Sequence, residues 1–464
     1  MNIDEMIEVF RLGNLELDCK RIVLTQNKEG GERYQGKGYI KQDADGVVVY
    51  KLYVTEHLNT TPHRQLSNYF SHLGKIHPDE TFFNLEAETK DGTTLRASRI
   101  FPNVSWDMYT GEPEFVRGQL QALTAQQNFP QKDHVIELYF FEEYEVPLHK
   151  WSTVDGSAGK HHVVDTAEFK ACNSRFEVKV RDGSGRSVVQ ASSEQSFPQN
   201  FHWRIQEALQ FITGRTANHR ALVMCEPGLQ KLELISPTKV SLQPHFCPPI
   251  KHVSLEYRNH GWELFSAFLA YVVASSSVTL WNPLSYHLHN AREASANSID
   301  SWAMGVSVAL EAISSLVVLP TDPEKKAKTE QAVNLMRQYV SSESTLTEFR
   351  DRLNGLLGML EQPPGPREKL KWLAAKGKAE NKYINIWNDL RNAHVHPKII
   401  DLKKPDPSSF QTQLDRIHSV QVLLCQVTYH LIGFSGPFTD WAEEQYPDKQ
   451  FPLPMKSVDA SSVA

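Results

Sequence analysis

The hydrophobic period of this chain turns from mainly strand-like to helical near residue 255, and that change points to a two-part α+β fold. Before it, apolar residues alternate in short runs, as strands require. KGYIKQDADGVVVYKLYVT (residues 37–55) sets two such runs around Asp45-Gly46, and FFNLEAETKDGTTLRASRI (residues 82–100) repeats this around Asp91-Gly92. Asp-Gly between alternating runs marks a hairpin, because the tight turn needs positive φ. HVIELYFFEEYEV (residues 134–146) is rich in aromatic and β-branched residues, and FEVKVRD (176–182), SVVQAS (187–192) and LELISPTK (232–239) continue the strand pattern. One helix interrupts them: NFHWRIQEALQFITG (200–214) spaces Trp203, Leu209 and Ile212 helically, with Gly214 placed to cap its end. Regular hairpins of this kind indicate an antiparallel sandwich or curved sheet.

Beyond residue 255 the spacing becomes three and four. SIDSWAMGVSVALEAISSLVVLP (298–320) carries Ile299, Trp302, Val306, Leu310, Ile313 and Val317, and Pro320 stops it. Further helices are expected over 323–340, 345–360, 367–396 and 410–433, with PPGP at 363–366 as a hard break. The expected domains are a β-rich, sandwich-like one over 1–155, a second α+β segment over 163–250, an all-α bundle over 255–440, and a partly disordered tail over 441–464. The Gly-rich DGSAGKHH (155–162) is read as a solvated boundary loop; its GxxGK lacks the spacing of a phosphate-binding loop.

Bulk properties narrow the function classes. A net charge of −6 over 464 residues leaves nucleic-acid contact to a local patch. The five cysteines are scattered, with no CxxC pair, which points to a reducing compartment rather than a disulfide framework or zinc ribbon. The beginning, MNIDEMIEVF, shows no signal-peptide pattern, and the most apolar run (264–274) is about half a membrane span. The expectation is a cytoplasmic protein without membrane contact. HExxH, Gly-x-Ser-x-Gly and Walker patterns are absent. His287 and His289 form an HxH without a third ligand, and His161-His162 lacks metal-ligand spacing, so no metal or cofactor is expected. The His-rich segment 62–77 reads as surface, with contact to RNA or a trigger as the alternative.

One stretch concentrates chemistry: RNAHVH, residues 391–396, before Pro397. Chance alone supplies about one Arg-x4-His pair in a chain of this composition, so its context must carry the weight. On a helical wheel Tyr383, Trp387 and Leu390 form an apolar stripe that His394 continues. Asn392 and His396 share the opposite face, and Arg391 lies between the two. An arginine there can neutralise a phosphodiester, a histidine can move the proton of a 2′-hydroxyl, and Asn392 can orient that histidine. The plainer reading pairs Arg391 with an acid and leaves the histidines to the helix dipole. The segment KLKWLAAKGK, with Lys369, Lys371, Lys376 and Lys378, is the nearby basic stretch able to meet RNA phosphates.

LRNAHVHP at the end of the penultimate long helix resembles the Arg-x4–6-His motif of HEPN (higher eukaryotes and prokaryotes nucleotide-binding) ribonucleases, where asparagine often follows the arginine. VALEAI (308–313) is similar to the family helix that packs beside the motif. The β-rich front, with YQGKGYIKQDADGVVVYKLYV, resembles the N-terminal region of ApeA-type anti-phage proteins. The resemblance implies a metal-independent RNA endonuclease leaving 2′,3′-cyclic phosphate ends and acting in abortive infection on tRNA or mRNA. It implies Arg391 and His396 as catalytic and Asn392 as support. His394 is core packing first, and helix order suggests Glu311 as a salt-bridge partner of Arg391. It also implies a homodimer or higher homo-oligomer, and a phage-derived trigger read by the β-rich half. Arg391 and His396 stand about 140° apart on one ideal helix, which a partner helix would remedy. The alternative is a catalytically silent HEPN scaffold, dimerising or nucleotide-binding, attached to a ligand-binding β-domain.

Overall fold

The structure is a computed structural model; it describes residues 1–58, 76–141, 146–156, 159–181, 186–237, 245–252, 254–275, 281–320, 323–395 and 407–454. The chain forms two compact units, Met1–Gln206 with Ala217–Ser241, and Glu207–Thr216 with Leu242–Ala464.

The first unit is built on one antiparallel sheet of fifteen strands. In chain order these are β1 (Glu16–Gln26), β2 (Arg33–Gln42), β3 (Val48–Leu58), β4 (Phe83–Thr89), β5 (Thr94–Ile100), β6 (Asn103–Trp106), β7 (Pro113–Leu120), β8 (Ala122–Phe129), β9 (His134–Phe140), β10 (Lys150–Gly156), β11 (Gly159–Ala171), β12 (Ser174–Arg181), β13 (Arg186–Ser193), β14 (Ala221–Glu226) and β15 (Gly228–Ile235). Their order across the sheet is β10-β11-β12-β13-β9-β14-β15-β8-β5-β4-β1-β2-β3-β7-β6. The α+β division expected from the period change is therefore present. Within it, the strands share one continuous ladder rather than two separately bonded sheets.

The Asp45-Gly46 and Asp91-Gly92 hairpins join β2 to β3 and β4 to β5, with φ of 76° at Gly46 and 90° at Gly92. Inward residues such as Ile22, Leu24, Ile40, Leu52, Phe83 and Leu95 form the core. Helix α1 (Ile3–Arg11) contributes Ile3, Met6, Ile7 and Phe10 to the same core. Asn2 and Glu5 start it as a reciprocal capping box, the Glu5 backbone N donating to Asn2 Oδ1 at 2.8 Å and the Asn2 backbone N to Glu5 Oε2 at 3.1 Å.

Two domain expectations need correction. The boundary placed at 155–162 belongs to the β10–β11 pair at the edge of the sheet, because Asp155 pairs with Lys160 and Gly156 with Gly159. Segments 1–155 and 163–250 are not separate: β13 and β14 both pair with β9, and β15 pairs with β8. Helix α2 (Phe201–Thr213) ends at Gly214, whose φ of 67° is the left-handed cap expected of glycine.

The second unit contains α3 (Leu255–Ser275), α4 (Pro283–Ser295), α5 (Ile299–Ser315), α6 (Pro323–Ser342), α7 (Arg350–Glu361), α8 (Pro366–Ala375), α9 (Asn381–Val395) and α10 (Pro407–Ile432). Helix α3 buries Leu264, Phe265, Phe268, Leu269 and Val272, and among the described residues no helix is long and apolar enough to cross a membrane. Helix α5 stops at Ser315, before Pro320. The stretch 367–396 splits into two helices, with Gly377 at a φ of 66° in the break. The first part of the tail is ordered. Strand β16 (Gly436–Thr439) pairs with β17 (Asp448–Phe451), Asp440 is fully buried, and residues 455–464 lie outside the described residues.

Within the first unit, buried His219 donates from Nδ1 to Gln206 Oε1 at 2.5 Å and packs beside His202, their ring centroids 6.1 Å apart. Burial, with the neighbouring imidazole, lowers the His219 pKa to about 3; burial, with Lys231 and Arg204, lowers that of His202 to about 4. Both are neutral in the folded state, whereas the unfolded histidines gain protons below about pH 6.5. Stability is therefore whole above that pH and falls as pH drops toward the folded values, by up to about 1.4 kcal/mol per pH unit for each group. Urea unfolding at stepped pH is expected to show this slope, and His219→Gln is expected to reduce it to the part that His202 contributes.

Candidate functional site

Helix α9 is anchored along one edge by three polar side chains four residues apart. The Tyr383 hydroxyl donates to Asp440, 2.7 Å from each carboxylate oxygen. The Trp387 indole N–H donates to the Ser307 carbonyl at 3.1 Å. Arg391 donates through Nε and Nη2 to the two oxygens of Glu311, at 2.6 and 3.0 Å. Spacing of four places all three on one face. Ser307 and Glu311 are also four apart, so α5 meets α9 with matched rungs. Between the rungs Ile384 and Leu390 are buried, completing the apolar side read from the sequence.

Arg391 therefore stands where the buried stripe reaches the surface. Its side chain and that of Glu311 are each 36% exposed. A forked pair of this kind fixes the guanidinium plane. It uses two of five N–H groups and leaves Nη1 outside the Glu311 contact. The salt bridge anticipated from helix order is present. Asn392, the next residue, is exposed. The backbone of His394 belongs to α9, but its side chain and all of His396 lie outside the described residues.

A second set of charges secures the start of α9. Glu380, Asp440 and Glu443 bring carboxylate oxygens within 4.8 Å of one another, as a cation site would. Here the Lys449 ammonium occupies that position, at 3.1, 2.6 and 2.9 Å from Glu380, Asp440 and Glu443. Burial alone would lower the Lys449 pKa; the three carboxylates outweigh it and raise it. Burial and the Asp440 carboxylate hold the Tyr383 phenol well above its ordinary range, so it remains a donor. Lys382 joins through Glu443 at 2.5 Å and Glu380 at 3.1 Å. Sequence reasoning missed Asp440 and Lys449, which the β16–β17 hairpin brings together without a local motif.

The basic segment is dispersed. Lys369 donates to the Ser315 carbonyl at 2.8 Å and Lys378 lies 3.1 Å from His430 Nδ1, whereas Lys371 and Lys376 are exposed. His287 and His289, two apart on α4, point about 160° from each other and cannot chelate together. His289 stacks on Trp281 instead, at 5.0 Å. His162 is exposed on β11, with Nδ1 3.2 Å from Thr153 Oγ1; the side chain of His161 lies outside the described residues. Of the segment 62–77, residues 62–75 also lie outside them, and His77 packs against Phe101 at 5.3 Å.

Compared with known proteins, the chain matches no family model, no curated protein and no solved structure.

The anchors differ in burial, and so in energetic weight. Tyr383→Phe leaves buried Asp440 short of a donor and is expected to cost about 1–3 kcal/mol. Glu311→Gln, at a half-exposed ion pair, is expected to cost less than about 1 kcal/mol. Urea unfolding followed by far-UV circular dichroism compares them, and equal losses would contradict the ranking.

Proposed function

We propose that the helical unit is an RNA endonuclease of the HEPN kind, with Arg391, Asn392 and His396 as its working residues. The observation that carries this reading is the forked Arg391–Glu311 pair at the exposed end of α9, directly before Asn392. A guanidinium held in a fixed plane suits a phosphodiester, whose oxygens take two parallel N–H bonds. In the proposed reaction the 2′-hydroxyl attacks phosphorus while a histidine accepts its proton. The O2′–P bond forms and the P–O5′ bond breaks; the leaving O5′ takes up a proton from the histidinium or from water, leaving a 2′,3′-cyclic phosphate and a 5′-hydroxyl. Arg391 offsets the charge that builds on the phosphoryl oxygens. Glu311 orients Arg391, and Asn392 orients the histidine.

A homo-oligomer fits the reading, because one helix directs residues 391 and 396 about 140° apart. Exposed Leu335, Met336 and Tyr339 on α6, with Leu356, Met359 and Leu360 on α7, offer a second copy an apolar surface. In this proposal the protein is cytoplasmic, and the β-rich unit senses a phage-derived trigger and restrains cleavage of tRNA or mRNA. One observation favours the silent scaffold instead: Glu311 already offsets the charge of Arg391, as a purely structural ion pair would.

Incubation of the full chain with total RNA and a chelator decides between them. Cleavage is expected from the wild type and is expected to fall at least about a hundredfold in Arg391→Ala and in His396→Ala. Cleavage that persists unchanged in both variants would overturn the site.

A further inference from the structure

In the first unit, six strands share a polar row on the solvent face of the sheet. Pairing sets Gln35 of β2 beside Val23 of β1, then Glu86 of β4, Arg96 of β5, Thr124 of β8 and Glu233 of β15. From Val23 to Glu233 the row lines a trough of about 550 Å³, whose lining also includes Arg21 and Arg33. That volume lies in the range of small-molecule sites.

Arg21 reaches the trough because β1 is bulged. Burial alternates through Leu17 and Cys19, then resumes at Ile22 and Leu24, one residue out of step. The register shifts between Cys19 and Ile22 against β2, and between Cys19 and Arg21 against β4. An unbroken alternation would have turned Arg21 inward. Re-aiming a side chain in this way is a recurrent use of a bulge.

Arg21 and Arg33 then converge on one neutral acceptor. Their Nη2 atoms donate to Gln35 Oε1, at 3.2 and 3.0 Å. Gln35 Nε2 donates to Glu56 at 3.3 Å, which turns the amide oxygen toward the arginines. Among the described residues neither arginine has a carboxylate within ion-pair distance, whereas Arg96 in the same trough pairs with Glu86 at 3.5 Å. Two like charges brought together on a neutral oxygen gain most from a shared anion. Guanidinium forks match the oxygens of phosphate. Toward the far end, Thr124, whose hydroxyl donates to the Arg96 carbonyl at 3.1 Å, and Glu233 offer acceptor oxygens for ligand hydroxyl or amino groups.

We infer that this trough binds a phosphorylated small molecule of nucleotide size, its phosphate held by Arg21 and Arg33. The site lies in the β-rich unit and stands independently of the RNA-cleavage reading. Calorimetric titration of the full chain with ADP, inorganic pyrophosphate and citrate tests it. ADP and pyrophosphate are expected to bind saturably at one site, and citrate at least about tenfold more weakly. The double variant Arg21→Gln, Arg33→Gln is expected to weaken phosphate binding at least about tenfold. Gln35→Glu, which places a carboxylate between the same arginines, is expected to do likewise. Both changes are on the solvent face, and unchanged thermal melting confirms that the variants fold. Arg391→Ala is expected to leave binding intact, so loss of RNA cleavage and loss of this site are read separately. ADP is expected to bind more tightly than pyrophosphate; the reverse would make the trough an inorganic-phosphate site and overturn the nucleotide-sized ligand. No saturable binding of either, undiminished binding in the arginine double variant, or a preference for citrate would overturn the assignment.

Discussion

The helical unit depends on how α9 is held. Tyr383, Trp387 and Arg391 recur every four residues and bond to Asp440, the Ser307 carbonyl and Glu311. Because Ser307 and Glu311 are themselves one turn apart on α5, the two helices are fixed in register as well as in contact. A slip by one residue would break both rungs and swing the apolar side of α9 away from its core. The register therefore determines where Arg391 emerges at the surface.

The charges around α9 are ordered by burial. At its start, Asp440 is fully buried and satisfied by Tyr383 and Lys449. Such a group is costly to leave short of partners, so this end is the firm one. At its other end, the Arg391–Glu311 pair is open to water and contributes little to stability. Helix α9 thus couples a rigid base to an exposed arginine whose plane is fixed by a fork. The β-rich unit uses its own departure from regularity similarly. The bulge in β1 leaves the inward core intact and re-aims one arginine outward.

Much of this was legible in the residue pattern. The change of period near residue 255 divides a mainly β part from a mainly helical one, both Asp-Gly hairpins fall where the pattern puts them, and the Tyr383–Trp387–Leu390 stripe is buried. What escaped has physical reasons. Pairing of β13 and β14 with β9 joins strands through non-local hydrogen bonds that leave no mark in the local sequence. The start of α1 did have a signal, the Asn2-x-x-Glu5 box followed by an apolar face. No local motif links Asp440 to Lys449, in the segment 441–464 read as a partly disordered tail; they meet because β16 and β17 form a hairpin. The bulge at Lys20–Arg21 shows only as two adjacent charged residues between apolar ones. In the candidate site, sequence order anticipated the Arg391–Glu311 pair, but the energetic difference between that pair and buried Asp440 required the packing.

The central claim, that Arg391 and its neighbours direct attack by the RNA's own 2′-hydroxyl, is tested most directly by the ends of the cut. A defined RNA oligonucleotide cleaved by the full chain can be analysed by mass spectrometry. A 2′,3′-cyclic phosphate facing a 5′-hydroxyl is the predicted product. A 3′-hydroxyl facing a 5′-phosphate would mean that water attacked the phosphorus, and would contradict the account.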